Sequence, residues 1–252
     1  MIDINKYFLS QKINCEVSLT LAFKLRDSFD DQVLNNINFS FYLNNKLIKP
    51  IKKNDGCYII INNKDKNFEL KILADNYFEK NILIDIDKIK DRYIEIYLVP
   101  DYKFKKTSSD LNIQGISDPN TEVWATKLSN RTNIRFISFE KIKKNNNNIL
   151  KISNPASESL LGRLLAVVDL EKKDFQSFFI ENKISDTDYE IDSEINKKYK
   201  ISSPIQKAYV TKSDETGYYN FYLSNNNKLE DDEYIVLYYK NKKRVLKVID
   251  FK

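Results

Sequence analysis

The chain has 252 residues, of which 42% are hydrophobic and 31% are charged, and its formal net charge is +5 at pH 7. These values are typical of a folded globular protein of one large or two ordinary domains, and they exclude a disordered chain. The sequence contains no histidine, which excludes Ser-His-Asp and Cys-His hydrolases, most zinc sites and two-histidine iron sites.

Short alternating runs of apolar and polar residues fill the first hundred positions. Seven of them suit strands, at residues 17–25, 36–43, 46–48, 58–61, 68–73, 82–86 and 93–99. The last run has apolar residues on both faces, which suits a central strand. This density of short strands predicts a β-sandwich over residues 1–104.

Several phrases in this region resemble the carboxypeptidase-regulatory-like, or prealbumin-like, β-sandwich family. The similar phrases are the Asp-containing turn at 25–29, the strand opening at 34–37, the turn Gly56-Cys57-Tyr58 and the pair Asn76-Tyr77. The resemblance covers about residues 15–100. It implies a fold of about seven strands and no specific ligand.

The middle of the chain changes in composition. Residues 105–120 are rich in Ser, Asp and Asn, and we predict that they form a linker. Strand-like runs follow at 123–128 and 133–139. A hairpin is predicted between residues 136–142 and 149–152, with the amide-rich residues 143–148 as its loop.

The last part of the chain, about residues 158–252, is predicted to be a second prealbumin-like module within a β-rich region that spans 121–252. Residues 161–169, 203–210 and 214–221 resemble three phrases of the same family. Residues 170–200 intervene where a short turn is usual, so we expect an inserted hairpin or a separate middle sandwich there. Within them, residues 175–180 suit a strand or a short helix. A terminal hairpin, residues 233–239 and 244–251, closes the chain.

The predicted fold class is therefore all-β, with tandem antiparallel β-sandwiches, prealbumin-like or immunoglobulin-like, around a β-rich middle segment. Two cysteines, Cys15 and Cys57, lie far apart in strand-like runs. We expect buried free thiols, with a disulfide between them as the alternative in an oxidising compartment.

The strongest candidate for a metal site is a run of alternating carboxylates. It consists of Asp186, Asp188, Glu190, Asp192 and Glu194. Calcium binds six to eight oxygen ligands, so such a run is suitable material. The spacing departs from the EF-hand pattern, because Ile191 stands at the sixth position and Lys197 at the twelfth. A solvated strand face is the favoured interpretation, and we predict no cofactor or metal.

The single tryptophan, Trp124, is the weak candidate for ligand binding. An exposed Trp could stack on a sugar or a base, whereas a strand aromatic packed in the core is the favoured interpretation. No pair of carboxylates is singled out by its spacing for glycoside hydrolysis, and no catalytic residue is predicted.

These observations predict a non-catalytic structural or docking component of a larger protein assembly. Residues 178–181, 199–205 and 208–209 also resemble accessory β-domains of phage-tail-like assemblies. The expected partners are other proteins of an assembly or a second copy, and not nucleic acid. A carbohydrate- or surface-binding module is the first alternative, and a carboxylate-dependent enzyme such as a glycosidase is the second.

The sequence also predicts where the protein is made. The N-terminus lacks the basic and apolar regions of a signal peptide, and no stretch approaches 18 apolar residues. We expect synthesis in the cytoplasm without membrane insertion, and release in a particle would leave no sequence signal.

Overall fold

The computed structural model describes residues 17–101, 103–104, 111–142, 147–153, 160–195, 199–223 and 233–250. The fold is all-β, as the sequence predicts. Two short 3-10 turns, Ile86–Lys88 and Lys90–Arg92, are its helical elements within these ranges. None of the described helices is long and apolar enough to cross a membrane.

The first half is a sandwich of two four-stranded sheets. One sheet has the order β4-β5-β1-β8 and the other the order β3-β2-β6-β7. The strands are β1 (Leu19–Asp27), β2 (Phe39–Leu43), β3 (Lys46–Ile48), β4 (Ile51–Lys52), β5 (Cys57–Ile61), β6 (Asn67–Ala74), β7 (Lys80–Asp85) and β8 (Tyr93–Leu98). Alternate residues from both sheets, including Phe23, Leu70 and Ile72, form the buried core between them.

All seven strands predicted for this half are confirmed, but the prediction of a central position for residues 93–99 is wrong. Among the described residues, the strand β8 lies at the edge of its sheet and pairs with β1 alone, in parallel. Both of its faces are apolar at the C-terminal end because Tyr97 and Val99 face the second half of the chain, where they line a small cavity of about 30 Å3 together with Leu164 and Leu165.

The second half is built on one nine-stranded sheet with the order β11-β12-β15-β14-β13-β16-β10-β18-β19, and a two-stranded sheet, β17-β9, packs on it. The strands are β9 (Leu111–Ile116), β10 (Glu122–Leu128), β11 (Arg135–Ile142), β12 (Asn147–Ser153), β13 (Leu164–Asp169), β14 (Asp174–Lys183), β15 (Asp188–Ile191), β16 (Ile205–Lys212), β17 (Tyr218–Leu223), β18 (Glu233–Lys240) and β19 (Lys243–Asp250).

The described part of residues 170–200 is thus an inserted hairpin and not a separate sandwich, because β14 and β15 pair antiparallel within the same sheet as the C-terminal strands. Residues 175–180 form part of the strand β14 and not a helix. The two predicted hairpins, β11–β12 and β18–β19, are confirmed. Residues 143–146 of the first predicted loop and residue 251 lie outside the described ranges.

The prediction of a linker over residues 105–120 is wrong for residues 111–116, which form β9 and pair with β17. The polar side chains Asn112 and Gln114 give this strand its linker-like composition, whereas the intervening Ile113 is buried in the core. Gly115 leaves room for an aromatic ring, since a Cβ there would lie 2.5 Å from the Tyr219 hydroxyl. Residues 105–110 lie outside the described ranges.

The nine-stranded sheet is curled. In a flat sheet, β14 and β19 would lie about 24 Å apart, because five spacings of about 4.8 Å separate the two strands. Yet the Arg244 guanidinium on β19 lies 2.6 Å from the Asp174 carboxylate on β14. Six strands, β14 to β19 in sheet order, therefore wrap around an apolar cluster that includes Ala166, Val168 and Ile235.

Candidate functional site

Trp124 faces the apolar cluster on the curled side of the nine-stranded sheet. It is half-buried on β10, where its cross-strand neighbours are Val210 and Leu237. Among the described residues its ring makes no aromatic pair. The surroundings of Trp124 are therefore those of a strand aromatic in contact with aliphatic side chains.

The five carboxylates of the acidic run have separate partners. Asp186 pairs with Lys183 at 2.7 Å and Glu194 pairs with Lys141, whereas Asp188 accepts a hydrogen bond from the Ser185 hydroxyl. Glu190 accepts a hydrogen bond from the Asn182 side-chain amide, and Asp192 accepts one from the Phe179 backbone amide. Within the described ranges, no three Asp, Glu or Cys side chains come together as a metal site would require.

Cys57 is a half-buried free thiol on β5, and its Sγ lies 3.8 Å from the carbonyl oxygen of Tyr58. Cys15 lies outside the described residues. The alternative of a disulfide between the two therefore remains a prediction.

The most distinctive constellation lies at the junction between the two halves. Phe29, in the turn that follows β1, is inserted into the core of the second half and is only 3% exposed. Its ring centroid lies 5.9 Å from that of Tyr209 and 5.9 Å from that of Phe221. Burial of one aromatic side chain in this way stabilises the junction by about 1.5–3 kcal/mol.

A lysine from the second half fixes the same turn. The Lys207 ammonium lies 2.9 Å from the Asp31 carboxylate and donates a hydrogen bond of 3.1 Å to the Phe29 carbonyl oxygen. Burial lowers the pKa of Lys207, and the charge of Asp31 opposes this shift. The ion pair is partly exposed, with 29% of the Lys207 side chain and 34% of the Asp31 side chain accessible to solvent, so its contribution to stability is modest.

Asp27 supports the turn from inside the first half. Its carboxylate accepts hydrogen bonds from the Tyr77 hydroxyl at 2.7 Å and from the Phe29 amide at 2.6 Å. Burial raises the pKa of Asp27, although these hydrogen bonds partly offset the shift. Asp27 therefore holds the backbone that presents Phe29 to the second half.

A cleft of about 570 Å3 opens beside this contact, which is within the range of ligand-binding clefts. Its walls combine apolar and charged side chains from both halves. The lining residues are Arg26, Asp31, Tyr93, Ile94, Glu95, Leu161 and Arg163. We refer to this space as the junction cleft.

Glu95 is the centre of a hydrogen-bond network in the junction cleft. The Arg26 guanidinium donates to it at 2.7 Å, and the hydroxyls of Tyr93 and Tyr97 donate at 3.3 Å each. Burial alone would raise the pKa of Glu95, but Arg26 and the two hydroxyls outweigh it and leave that pKa lowered. Glu95 is therefore ionised at neutral pH and orients Arg26.

The sequence gives only faint signals for these junction residues. Phe29 is an aromatic within a polar turn, and Lys207 is a charge within the apolar run 205–210. Each is unusual enough to indicate burial against another part of the chain. Arg26, Glu95 and Arg163 are far apart in sequence and follow no motif, so only the fold brings them together.

Comparison with known proteins identifies no relative: no family model matches the chain, and no curated protein matches it. The resemblance to prealbumin-like sandwiches therefore stays a prediction.

Proposed function

We propose that this protein is a non-catalytic docking component of a larger protein assembly, which engages its partner by strand addition at an exposed sheet edge. The observation that carries the proposal is the edge strand β19. It is eight residues long and pairs with β18 along its whole length without a bulge. A long and regular edge is a template for a further strand.

The hairpin geometry shows which backbone groups of β19 are available. Asn241 and Lys242 have φ values of 53° and 59°, as in a two-residue type I′ turn, so Lys240 and Lys243 form a hydrogen-bonded pair. Hydrogen-bonded and non-bonded pairs alternate from there. The amide and carbonyl groups of Arg244, Leu246 and Val248 therefore point away from β18.

The charge of β19 favours an acidic partner. Lys243 and Lys247 are exposed and lie on one face of the strand, whereas Arg244 lies on the other face and pairs with Asp174. Exposed lysines on an edge also discourage indiscriminate pairing, so they favour one partner of complementary charge over aggregation. The net charge of +5 acts in the same direction.

The coupling of the two halves supports a structural role. Phe29 and Lys207 connect the turn after β1 to the core of the second half through a buried ring and a partly exposed ion pair. A component that transmits load or holds spacing in an assembly benefits from such a connection. This contact supports the proposal without identifying the partner.

The test is size-exclusion chromatography of gently lysed native host cells, followed with an antibody. We expect the chain to elute in a large complex, and we expect the variant Lys243→Glu/Lys247→Glu to leave it. The control is Lys46→Glu/Lys64→Glu, which changes the net charge equally at two exposed lysines of the first half. The proposal is wrong if the wild type elutes alone near 29.8 kDa, or if the edge variant remains in the complex.

A further inference from the structure

We propose that Asp118 positions the docking edge of β19. Its carboxylate binds the backbone amides of the turn between β18 and β19, and it thereby fixes the end of this hairpin in the orientation that strand addition needs. The inference rests on the proposed docking function and names a residue that controls the same edge. Asp118 is a positioning residue, because it acts on docking through the hairpin.

The end of the hairpin projects beyond the strand that supports it. The strand β10 pairs with β18 only as far as Leu237. The next residue, Tyr238, packs on Tyr219 of the core, with ring centroids 5.9 Å apart. Residues 239–244, which we call the hairpin tip, lie beyond both contacts. Because a two-stranded hairpin is only marginally stable on its own in water, the hairpin tip depends on contacts from elsewhere in the chain.

A carboxylate from another loop holds the turn of the hairpin tip. Asp118, in the loop between β9 and β10, accepts hydrogen bonds from the Asn241 amide through Oδ1 and from the Lys242 amide through Oδ2, each at 2.7 Å. The Asp118 amide donates to the Tyr239 carbonyl oxygen at 2.6 Å. Hydrogen bonds to an ionised carboxylate are about twice as strong as those between neutral groups. Asp118 therefore binds the backbone of the turn and of the strand that leads into it.

The loop that carries Asp118 is itself anchored to the second half. The Asp118 carbonyl oxygen accepts hydrogen bonds from the Thr121 and Ser213 hydroxyls, both at 2.7 Å. Ser213 directly follows β16 and is only 1% exposed. The Ser117 amide donates to the Gly217 carbonyl oxygen at 2.9 Å. The core of the second half thus sets the position of the carboxylate, and the carboxylate sets the position of the hairpin tip.

A second carboxylate holds the hairpin tip from the side of β14. The Arg244 guanidinium donates to the Asp174 carboxylate at 2.6 Å, and the Asp174 side chain is only 13% exposed. Arg244 is also the first residue of β19 whose backbone groups point away from β18, so the position of the tip determines where a partner strand begins to pair. Asp174 binds a side chain, whereas Asp118 binds the backbone itself. Loss of Asp118 should therefore release the tip more directly.

A fixed hairpin tip favours docking, because an edge that moves must be ordered when the partner strand adds, and this ordering reduces affinity. The charge of Asp118 has the opposite effect, since a carboxylate close to β19 repels the acidic partner proposed above. Removal of the Asp118 side chain separates the two effects. The loss of positioning weakens docking, whereas the loss of charge alone would strengthen it.

The experiment compares Asp118→Ala with the wild type, both as purified full chains and in native host cells. Hydrogen exchange on the purified chains should be about tenfold faster at the Asn241 and Lys242 amides of the variant. Size-exclusion chromatography of gently lysed cells should show that the share of the variant in the large complex falls about threefold or more. Asp118→Asn is the milder variant, because it retains one acceptor oxygen, and its values should lie between those of the wild type and Asp118→Ala.

The control is Glu215→Ala, which removes the same charge from an exposed residue in the turn 214–217, next to the loop of Asp118. Its exchange at the hairpin tip should equal that of the wild type, and its share in the complex should not fall. The inference is overturned if Asp118→Ala leaves the exchange or the share in the complex unchanged, or if Glu215→Ala lowers that share equally. Elution of the wild type alone would overturn the docking function as well, and exchange on the purified chains distinguishes that failure from a failure of Asp118 to hold the hairpin tip.

Discussion

At the scale of single residues, the junction depends on few side chains. Phe29 contributes a buried ring, Lys207 and Asp31 contribute an ion pair, and Asp27 fixes the turn that carries Phe29. Each of these side chains comes from a polar segment or interrupts an apolar one. Substitution of single side chains therefore tests what each one contributes to the stability of the junction.

The substitution Phe29→Ala removes the ring that enters the second half. Because it leaves a cavity next to Tyr209 and Phe221, we expect a loss of about 3–5 kcal/mol in the free energy of unfolding. Urea denaturation measures this loss. The control Leu83→Ala alters a side chain that is 87% exposed and should change stability by less than about 0.5 kcal/mol. Equal effects of the two substitutions would contradict the assigned role of Phe29.

The buried carboxyl of Asp27 predicts a pH dependence of stability. Burial raises its pKa in the folded state above the ordinary 3.8. Between pH 3.8 and this raised pKa, the folded chain therefore binds more protons than the unfolded chain. As the pH falls through this window, the wild type should gain stability relative to Asp27→Asn, and the gain should level off below about 3.8.

Urea denaturation of both proteins from pH 7 to pH 3 measures this difference. The exposed Asp75→Asn substitution serves as the control for a loss of charge without burial. If the stability of the wild type relative to Asp27→Asn stays constant or falls on acidification, the assignment is contradicted.

At the scale of elements, the terminal hairpin contains a strained turn. Lys242 has a φ of 59°, a left-handed conformation that is unfavourable for a residue with a side chain. The substitution Lys242→Gly should therefore stabilise the protein by about 0.5–1 kcal/mol, since glycine adopts this conformation without strain.

Thermal unfolding measures this effect. The matched substitution Lys247→Gly, inside β19, should instead lower the melting temperature, because glycine weakens the interior of a strand. If both substitutions destabilise equally, the turn is not the type I′ turn described here.

The strands themselves were largely predictable, because alternation of apolar and polar residues marks a pleated surface directly. The strand β9 was not, since Asn112 and Gln114 make the segment polar and only Ile113 reveals its buried face. The edge position of β8 was also missed. Apolar residues on both faces indicate burial, and burial can come from another part of the chain as well as from neighbouring strands.

The candidate site was less predictable than the fold. The junction cleft joins Arg26 and Glu95 of one sheet to Leu161 and Arg163 of the segment before β13. No spacing rule connects positions so far apart, because long-range packing alone determines which of them meet. Composition alone singles out Trp124 and the acidic run. In the structure, the acidic side chains instead bind separate partners.

At the scale of the whole molecule, the chain has two β-structured halves, and the turn after β1 joins them by burying Phe29 in the core of the second half. The nine-stranded sheet of the second half ends at the edge strand β19. In the proposed function, docking takes place through β19.

Site-specific photo-crosslinking in the native host tests this claim most directly. A photoreactive amino acid replaces Lys247, whose exposed side chain lies beside the free edge of β19, and in a parallel strain it replaces the exposed Lys64 of the first half. We predict that irradiation joins the chain to one partner protein from position 247 and not from position 64. The absence of any adduct at position 247, or the same adducts from both positions, would contradict docking through β19.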